Sequence, residues 1–279
     1  MNMKKIITFL SISAFLVSCL SGCTAINSHS STIKKTSVAS TKKSNKRITV
    51  LAAASLTESF NEIAKDFKKD TGIDVSFDYA GSQQLETLIN QGATADVFAS
   101  ASTKNMDDVR KSKLVSSPSI FVKNKIVVCQ NKDSKKKISK LSDLGINNLS
   151  LVIADKSVPV GQYFYKSLDN SIANNSISSE DKNKILKNVK SNELNVKDVV
   201  SKVLLGESDA GVVYKTDITE QNISKLNTIN LKEFESVTAN YPIAVVNSSK
   251  DKNSAKSFID YVMSNKGKKI LKKYGFSMP

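Results

Sequence analysis

The sequence predicts an α/β protein of two lobes, each a mostly parallel sheet flanked by helices. Two observations support this prediction. Short apolar runs alternate with stretches in which apolar residues recur at helical spacing, and the 279 residues exceed the size of one average domain. Strands that alternate with helices form parallel sheets with right-handed crossovers. The hydrophobic content of 40%, against 24% charged residues, argues against a disordered chain.

The first strand and helix are predicted close to residue 47. Residues 47–53 are a β-prone run without a helical period, as in a strand that is buried on both faces. Ser55 and Glu58 have the spacing of a capping box, so we expect Ser55 to cap a helix. Apolar residues then recur at helical spacing until Gly72, where we expect the helix to end.

The remaining elements follow in order. Further strands are predicted at residues 73–79, 96–99, 120–128, 150–153, 209–214 and 241–246. Further helices are predicted before Gly92, from Pro159, from Val196 to Gly206, and around residues 255–262. We expect the chain to cross between lobes near Lys125 and near Asn240, so that lobe 1 comprises residues 47–124 plus 240–279 and lobe 2 comprises residues 125–239.

The N-terminal segment has the pattern of a secretory signal. Residues 1–22 contain two lysines, an apolar run and small residues before a cleavage point. The tetrapeptide that ends at Cys23 resembles the lipobox of bacterial lipoproteins, which implies acylation of Cys23 and an extracytoplasmic protein anchored to the cell membrane; an ordinary signal peptide is the alternative. Residues 23–46 are rich in serine, threonine and lysine, which predicts a flexible tether.

Composition excludes several classes of function. The chain has one histidine (His29), three cysteines and no tryptophan, so a zinc cluster, a Ser-His-Asp triad and a disulfide scaffold are ruled out. The formal charge is +15, but Arg47 and Arg110 are the only arginines. Evenly scattered lysines are typical of a solvated surface and not of a nucleic-acid interface. Cys129 lies in an apolar run, where we expect a buried, unreactive thiol.

Four positions lie where a predicted strand meets a helix or in the first turn of a helix. They are Ser55, Ser82, Val160 and Val196. The first turn of a helix presents unpaired N–H groups with a partial positive charge, which suits an anion. Ligands of open parallel sheets bind beyond the carboxyl ends of the strands. By itself, this spacing indicates only an α/β protein of two lobes that is suited to an anion.

Seven motifs resemble those of the periplasmic molybdate-binding proteins of ABC importers, in the order of that family. They are residues 51–57 (LAAASLT), 60–64 (FNEIA), 91–101 (QGATADVFASA), 158–161 (VPVG), 211–214 (GVVY), 241–246 (YPIAVV) and 273–276 (KYGF). The resemblance extends from about Arg47 to Pro279. It implies the two-lobed fold of type II periplasmic binding proteins, with the ligand in the cleft.

The resemblance also implies a set of site residues. The oxyanion is expected to be bound by the hydroxyls of Ser55, Ser82 and Tyr214 and by backbone amides at Val160 and Val196, without a cationic side chain. It implies a tetrahedral ligand, molybdate or tungstate, with no cofactor, no catalytic residue and no metal apart from the molybdenum of the anion. The loop at Ser82 is less rich in serine and glycine than in many family members, and valine replaces the frequent alanine at position 160.

The implied role is delivery of the anion to an ABC permease and its ATPase, from a position held at the membrane by the lipid anchor, with no nucleic-acid partner and no enzymatic activity. Alternatives are a receptor for sulfate, for another oxyanion or for an organic acid, a secreted α/β enzyme, and an adhesin or signalling lipoprotein. The enzyme lacks a candidate general base beyond scattered carboxylates, because the chain has no histidine after residue 29.

Overall fold

The computed structural model describes residues 46–279. The expected signal peptide (residues 1–22), the expected acylation site at Cys23 and the tether up to residue 45 lie outside the described residues. Between residues 46 and 279, no helix has both the length and the apolar character of a membrane span.

Strands and helices alternate along the described chain. In chain order, the strands are β1 (Arg47–Ala53), β2 (Asp74–Ala80), β3 (Val97–Ala99), β4 (Ser119–Asn124), β5 (Ile126–Asn131), β6 (Leu151–Ala154), β7 (Val189–Glu193), β8 (Ala210–Tyr214), β9 (Leu226–Ile229) and β10 (Ala239–Val245). The helices are α1 (Thr57–Thr71), α2 (Ser82–Asn90), α3 (Thr103–Lys111), α4 (Pro159–Ala173), α5 (Ser179–Lys187), α6 (Val196–Leu204), α7 (Lys252–Met263) and α8 (Asn265–Lys273).

The strands form two five-stranded sheets. The first has the order β2-β1-β3-β10-β4 and the second the order β7-β6-β8-β5-β9. The α/β class and the two-lobed architecture expected from the sequence are confirmed. We refer to the part of the chain around the first sheet as lobe 1 and to the part around the second as lobe 2.

The sheets are mostly parallel, as expected, and each contains one strand that runs in the opposite direction. In lobe 1, β1 runs parallel to β2 and β3, whereas β10 is antiparallel to β3 and β4. In lobe 2, β6 runs parallel to β7 and β8, whereas β5 is antiparallel to β8 and β9. The reason is the direction in which the chain arrives. The strands β5 and β10 each enter a sheet from the opposite lobe, at the end where the parallel strands finish, and therefore run the other way.

The single strand predicted at residues 120–128 is two strands in different lobes. The strand β4 ends at Asn124 and β5 begins at Ile126, so Lys125 alone separates them. The start of β10 pairs with the end of β4, through Ala239 and Asn124. The start of β5 pairs with the end of β8, through Ile126 and Tyr214. Both crossings therefore lie at the same end of the two sheets.

Lobe 1 is packed around aromatic side chains. The ring of Phe60 on α1 lies 6.0 Å from Phe77 of β2 and 5.9 Å from Phe258 of α7, centroid to centroid. Phe60 is fully buried, and α1 ends at Gly72 in a left-handed conformation with φ of 74°. This packing fixes α1 against the sheet, and so fixes the residues that precede α1 at the end of β1.

Candidate functional site

A small cavity lies between the lobes, with about 210 Å³ of space not filled by atoms, including its opening to solvent. It is bounded by the carboxyl ends of β1, β2 and β8 and by the first residues of α2, α4 and α6. The lining residues are Ala53, Ala54, Ser55, Ala80, Gly81, Ser82, Ala101, Val158, Pro159, Val160, Val196 and Tyr214. The structure thus brings together all five site residues expected from the resemblance.

No lining residue of this cavity carries a charged side chain in the part of the chain that the structure describes. The polar side chains are the hydroxyls of Ser55, Ser82 and Tyr214, and each of these residues is buried. The other polar groups are those of the backbone. The cavity therefore presents neutral hydroxyl and amide groups inside an otherwise apolar wall, a lining suited to an ion that accepts hydrogen bonds.

Ser55 does not cap a helix, contrary to the expectation from its spacing to Glu58. It lies in a short 3₁₀ turn (Ala54–Leu56), and α1 begins only at Thr57. Its Oγ lies 2.9 Å from Tyr241 Oη, in a buried hydrogen bond. The capping box does not form because the Ser55 hydroxyl is bound to Tyr241 and the Glu58 carboxylate is paired with Lys197 on the other lobe.

Ser82 is the first residue of α2 and is held by a backbone group of its own lobe. Its Oγ accepts a hydrogen bond from the Ala101 N–H at 3.0 Å. The N-cap is the preceding Gly81, in an extended conformation. The Ser82 hydroxyl keeps its own proton for donation, because a hydroxyl can accept and donate at the same time.

Val160 lies in the first turn of α4, directly after Pro159. The first turn of a helix has no intrahelical acceptors for its N–H groups, and proline is well suited to its first position. The next residue has to be glycine, because a Cβ at Gly161 would overlap the carbonyl oxygens of Ala154 and Asp155. This close approach sets the start of α4 directly against the end of β6.

Val196 is the first residue of α6, and the capping residue leaves its amide unused. The side chain of Asn195 accepts hydrogen bonds from the N–H groups of Lys197 and Asp198, at 2.9 and 3.1 Å. The Val196 N–H precedes both and is not bound by this cap. It is therefore an available donor at the positive end of a helix dipole.

Tyr214 is the last residue of β8 and is 1% exposed. Its Oη is buried and has no hydrogen-bond partner among the described residues. A buried hydroxyl without a partner is costly, and such groups are rare unless a ligand or water completes them. Burial raises the pKa of Tyr214 well above its usual value, so the hydroxyl keeps its proton.

Lys197, which follows Val196 in the chain, does not line the cavity and is paired with two acids. Lys197 Nζ lies 2.9 Å from Glu58 Oε1 across the lobes and 3.4 Å from Asp217 Oδ1. Burial acts to lower the pKa of Lys197, but Asp217 and Glu58 outweigh it and the pKa is raised. Burial raises the pKa of Asp217, and Lys197 opposes that effect. Lys197 is thus committed to these carboxylates.

The lobes are in direct contact around the cavity. Gln83 Nε2 donates to the carbonyl oxygen of Leu194 at 2.8 Å, and Ser102 Oγ donates to Gln162 Oε1 at 3.3 Å. Leu194 O approaches Gly81 so closely that a Cβ at Gly81 would overlap it. Together with the pair between Glu58 and Lys197, these contacts describe a closed arrangement of the lobes.

The structure adds residues that the sequence did not indicate. Tyr241 contacts Ser55 on the side away from the cavity, and Asn124 contacts Tyr241. The Ala101 N–H donates to Ser82 Oγ. No local pattern signals these contacts, because Ser55 and Tyr241 are 186 residues apart.

Neither a metal site nor a reactive cysteine is found among the described residues. Residues 46–279 contain no group of His, Cys, Asp and Glu side chains that could hold a metal ion. Cys129 is fully buried, and burial raises the pKa of its thiol to about 12, so the expected unreactive role agrees with its environment.

Comparison with known proteins places the chain in a family. Residues 48–277 match the family model described as bacterial extracellular solute-binding protein. The chain is 37% identical to the molybdate-binding protein ModA of Mycobacterium bovis over 270 residues, 96% of each chain. It is 31% identical to the putative ABC transporter substrate-binding lipoprotein YvgL of Bacillus subtilis over 281 residues, 98% of each chain.

A solved structure agrees with these relatives. The substrate-binding domain of a putative molybdenum ABC transporter from Clostridium difficile superposes with a TM-score of 0.62 at 27% identity, covering 84% of this chain and 99% of that domain. The resemblance to molybdate-binding proteins seen in the sequence is thereby confirmed. These relatives are solute-binding proteins and not enzymes, and the chain belongs to the family of bacterial extracellular solute-binding proteins.

Proposed function

We propose that this protein binds molybdate, and also tungstate, in the cavity between its lobes and delivers the anion to an ABC permease. The relatives at 37% identity and the Clostridium difficile domain carry molybdate or molybdenum in their names. The observation that carries the proposal is the convergence of Ser55, Ser82, Val160, Val196 and Tyr214 on one cavity without a charged side chain.

The donor set suits a small dianion. A hydrogen bond to a charged group contributes about 1.5–3 kcal/mol net, so five or more donors can offset the costs of association and leave submicromolar affinity. Neutral donors also discriminate. Hydrogen phosphate brings a proton that finds no acceptor in such a cavity, whereas sulfate, which carries no proton, is excluded only by size.

Calorimetric titration of the purified protein with molybdate, tungstate, sulfate and phosphate tests the proposal. We expect tight binding of molybdate and tungstate, weak binding of sulfate and the weakest binding of phosphate. Absence of heat with molybdate and tungstate, or tighter binding of phosphate, would contradict it. Sulfate as the tightest ligand would assign the same cavity to the alternative oxyanion.

We also propose that Cys23 carries the lipid anchor. The proposal rests on the lipobox-like tetrapeptide and on the lipoprotein relative from Bacillus subtilis. Two acyl chains hold a protein firmly at a membrane, because each buried methylene adds about 0.8 kcal/mol. In membrane fractionation, Cys23→Ala should move the protein from the membrane to the soluble fraction; an unchanged membrane fraction would contradict the anchor.

Delivery to a permease requires a separate measurement. Cells that lack this gene should lose high-affinity uptake of molybdate, and the intact gene should restore it. A protein that binds molybdate in the calorimeter but whose loss leaves uptake unchanged would keep its binding role and lose the transport role.

A further inference from the structure

We propose that Tyr241, oriented by Asn124, makes the Ser55 hydroxyl a hydrogen-bond donor toward the cavity and so acts as a positioning residue for selectivity against protonated oxyanions. This inference rests on the proposed function, and it concerns two residues that do not line the cavity. A chain of hydrogen bonds runs from the backbone N–H of Lys125, whose direction is fixed, through Asn124 and Tyr241 to Ser55 at the cavity.

The backbone fixes the orientation of the Asn124 side-chain amide. The Lys125 N–H lies 2.9 Å from Asn124 Oδ1. A backbone N–H can only donate, so the atom that it meets has to be the side-chain oxygen. The Nδ2 group consequently points the other way, toward Thr216 Oγ1 at 2.8 Å and Tyr241 Oη at 3.3 Å.

Asn124 in turn sets the direction of the Tyr241 hydroxyl. Since Asn124 Nδ2 has only protons to offer, Tyr241 Oη accepts from it. The phenol has one proton, and Ser55 Oγ, 2.9 Å away, is its available acceptor among the described residues. Tyr241 is fully buried, and burial raises its pKa well above the usual value, so this proton is retained.

Tyr241 in turn orients the Ser55 hydroxyl. Its Oγ accepts the Tyr241 proton, so its own proton is free to point into the cavity that it lines. Ser82 is arranged in the same way, because its Oγ accepts the Ala101 N–H. Both serine oxygens thus have an acceptor site occupied from behind, and what they present to a ligand is an O–H donor.

The consequence is selectivity by proton content. Molybdate and sulfate carry no proton near neutral pH and use only acceptors, so the donor array suits them. Hydrogen phosphate has the same charge as sulfate but carries one O–H, which needs an acceptor that Ser55 and Ser82 do not readily offer. Without the Tyr241 hydroxyl, the Ser55 hydroxyl is no longer held in this orientation, so it can turn a lone pair toward the cavity and accept from that O–H.

The test compares sulfate with hydrogen phosphate in Tyr241→Phe. Each anion displaces molybdate in calorimetric titrations of the wild type and the variant, at a pH where phosphate is the hydrogen phosphate dianion. We expect molybdate affinity to fall about 5- to 10-fold. The preference for sulfate over hydrogen phosphate should fall at least about threefold, because only the protonated anion gains a partner.

Tyr261→Phe is the matched control. It deletes a hydroxyl that contacts Asp70 on the surface of the same lobe, away from the cavity lining. We expect it to leave both affinity and selectivity at wild-type values. A purely structural role of Tyr241 would weaken sulfate and hydrogen phosphate by the same factor, and that result would overturn the inference.

Neutron diffraction of the wild-type protein with molybdate provides a second measurement that does not depend on a variant that folds. The Tyr241 proton should lie toward Ser55 Oγ, and the Ser55 proton toward the anion. A Ser55 proton that points to Tyr241 would overturn the inference. If the wild type fails to bind molybdate at all, the proposed function fails; if it binds and only the Tyr241 results disagree, the inference alone fails.

Discussion

The two lobes contribute donors of different kinds to the cavity. Lobe 1 supplies the hydroxyls of Ser55 and Ser82, and both oxygens are already bound within that lobe. Lobe 2 supplies amides in the first turns of α4 and α6 and the Tyr214 hydroxyl, which has no partner among the described residues. The lobe 1 hydroxyls are thus oriented by hydrogen bonds within lobe 1. The lobe 2 donors gain a partner only from what lies between the lobes.

This difference predicts that substitutions in the two lobes will affect stability and ligand binding differently. A group that is bound within its own lobe contributes to the folded state as well as to the ligand, so its removal should lower both. A donor without a partner costs the folded state and is compensated only by the ligand, so its removal should lower affinity alone. Four predictions test this comparison, from the largest expected effect to the smallest.

Ser82→Ala should have the largest effect, because it changes both quantities. It removes a donor to the ligand and leaves the buried Ala101 N–H without its acceptor, at a cost of about 1–3 kcal/mol in the free energy of unfolding and about 1.5–3 kcal/mol in binding. Urea unfolding of the ligand-free protein and calorimetry measure the two. Ser59→Ala is the control, since this buried hydroxyl lies outside the cavity lining and donates to the Leu56 carbonyl. A loss of affinity without a loss of stability would contradict the claim that the lobe 1 hydroxyls contribute to the folded state as well as to binding.

Val196→Pro should weaken binding nearly as much while leaving stability almost unchanged. Proline fits the first position of a helix and lacks only the N–H that we assign to the ligand. Asn195 is already extended, at φ of −153° and ψ of 167°, as the residue before proline requires. We expect affinity to fall by about 1.5–3 kcal/mol. Val196→Ala keeps the amide and should keep the affinity; equal affinities for the proline and alanine variants would remove this amide from the site.

Tyr214→Phe should weaken binding by about 1–3 kcal/mol, because a donor to the anion is lost. In the ligand-free protein, the free energy of unfolding should be unchanged or slightly higher, since a buried hydroxyl without a partner disappears. Calorimetry and urea unfolding measure both. A clear loss of stability would show that Tyr214 is bound from behind like the serines, and unchanged affinity would remove it from the site.

The smallest effect is expected from pH. Burial raises the pKa of Tyr214 and of Tyr241 well above 10, so both remain protonated donors and molybdate affinity should be constant between about pH 6 and pH 9. Because the folded pKa values lie above the unfolded value, the folded state holds these protons more tightly. Their contribution to stability is therefore complete below pH 10 and is lost as the pH rises through the folded values. A molybdate affinity that changes with pH between about pH 6 and pH 9 would indicate an ionisable group at the site.

The sequence predicted the residues that line the cavity better than the residues that hold those lining residues in place. Five of the lining residues were expected from the resemblance to a known family. Ser55, Val160 and Tyr214 lie within its motifs, and Ser82 and Val196 lie at predicted helix starts. Local patterns failed at Ser55 and Glu58, because both side chains bind partners distant in sequence. Ser55 contacts Tyr241, 186 residues away, and Glu58 contacts Lys197, 139 residues away.

The fold shows the same limit. Hydrophobic periodicity located the strands β1–β3, but it merged β4 and β5 into one run, because the apolar pattern continues through the crossing at Lys125. Strand direction could not be read either, since the antiparallel course of β10 depends on where the chain re-enters the sheet. The helix α5 was missed because it buries only Ile185 and has no apolar stripe.

Asn124 connects the crossing between the lobes to the chemistry of the cavity. It ends β4 beside Lys125, and its amide donates both to Thr216 on lobe 2 and to Tyr241 on lobe 1. We expect a swing of the lobes about Lys125 to break the bond to Thr216 and free this amide, which faster hydrogen exchange at Lys125 in ligand-free protein would report. Release of the proposed anion would then need no separate trigger, because the same opening motion would also remove the hydrogen bonds that orient the Ser55 hydroxyl.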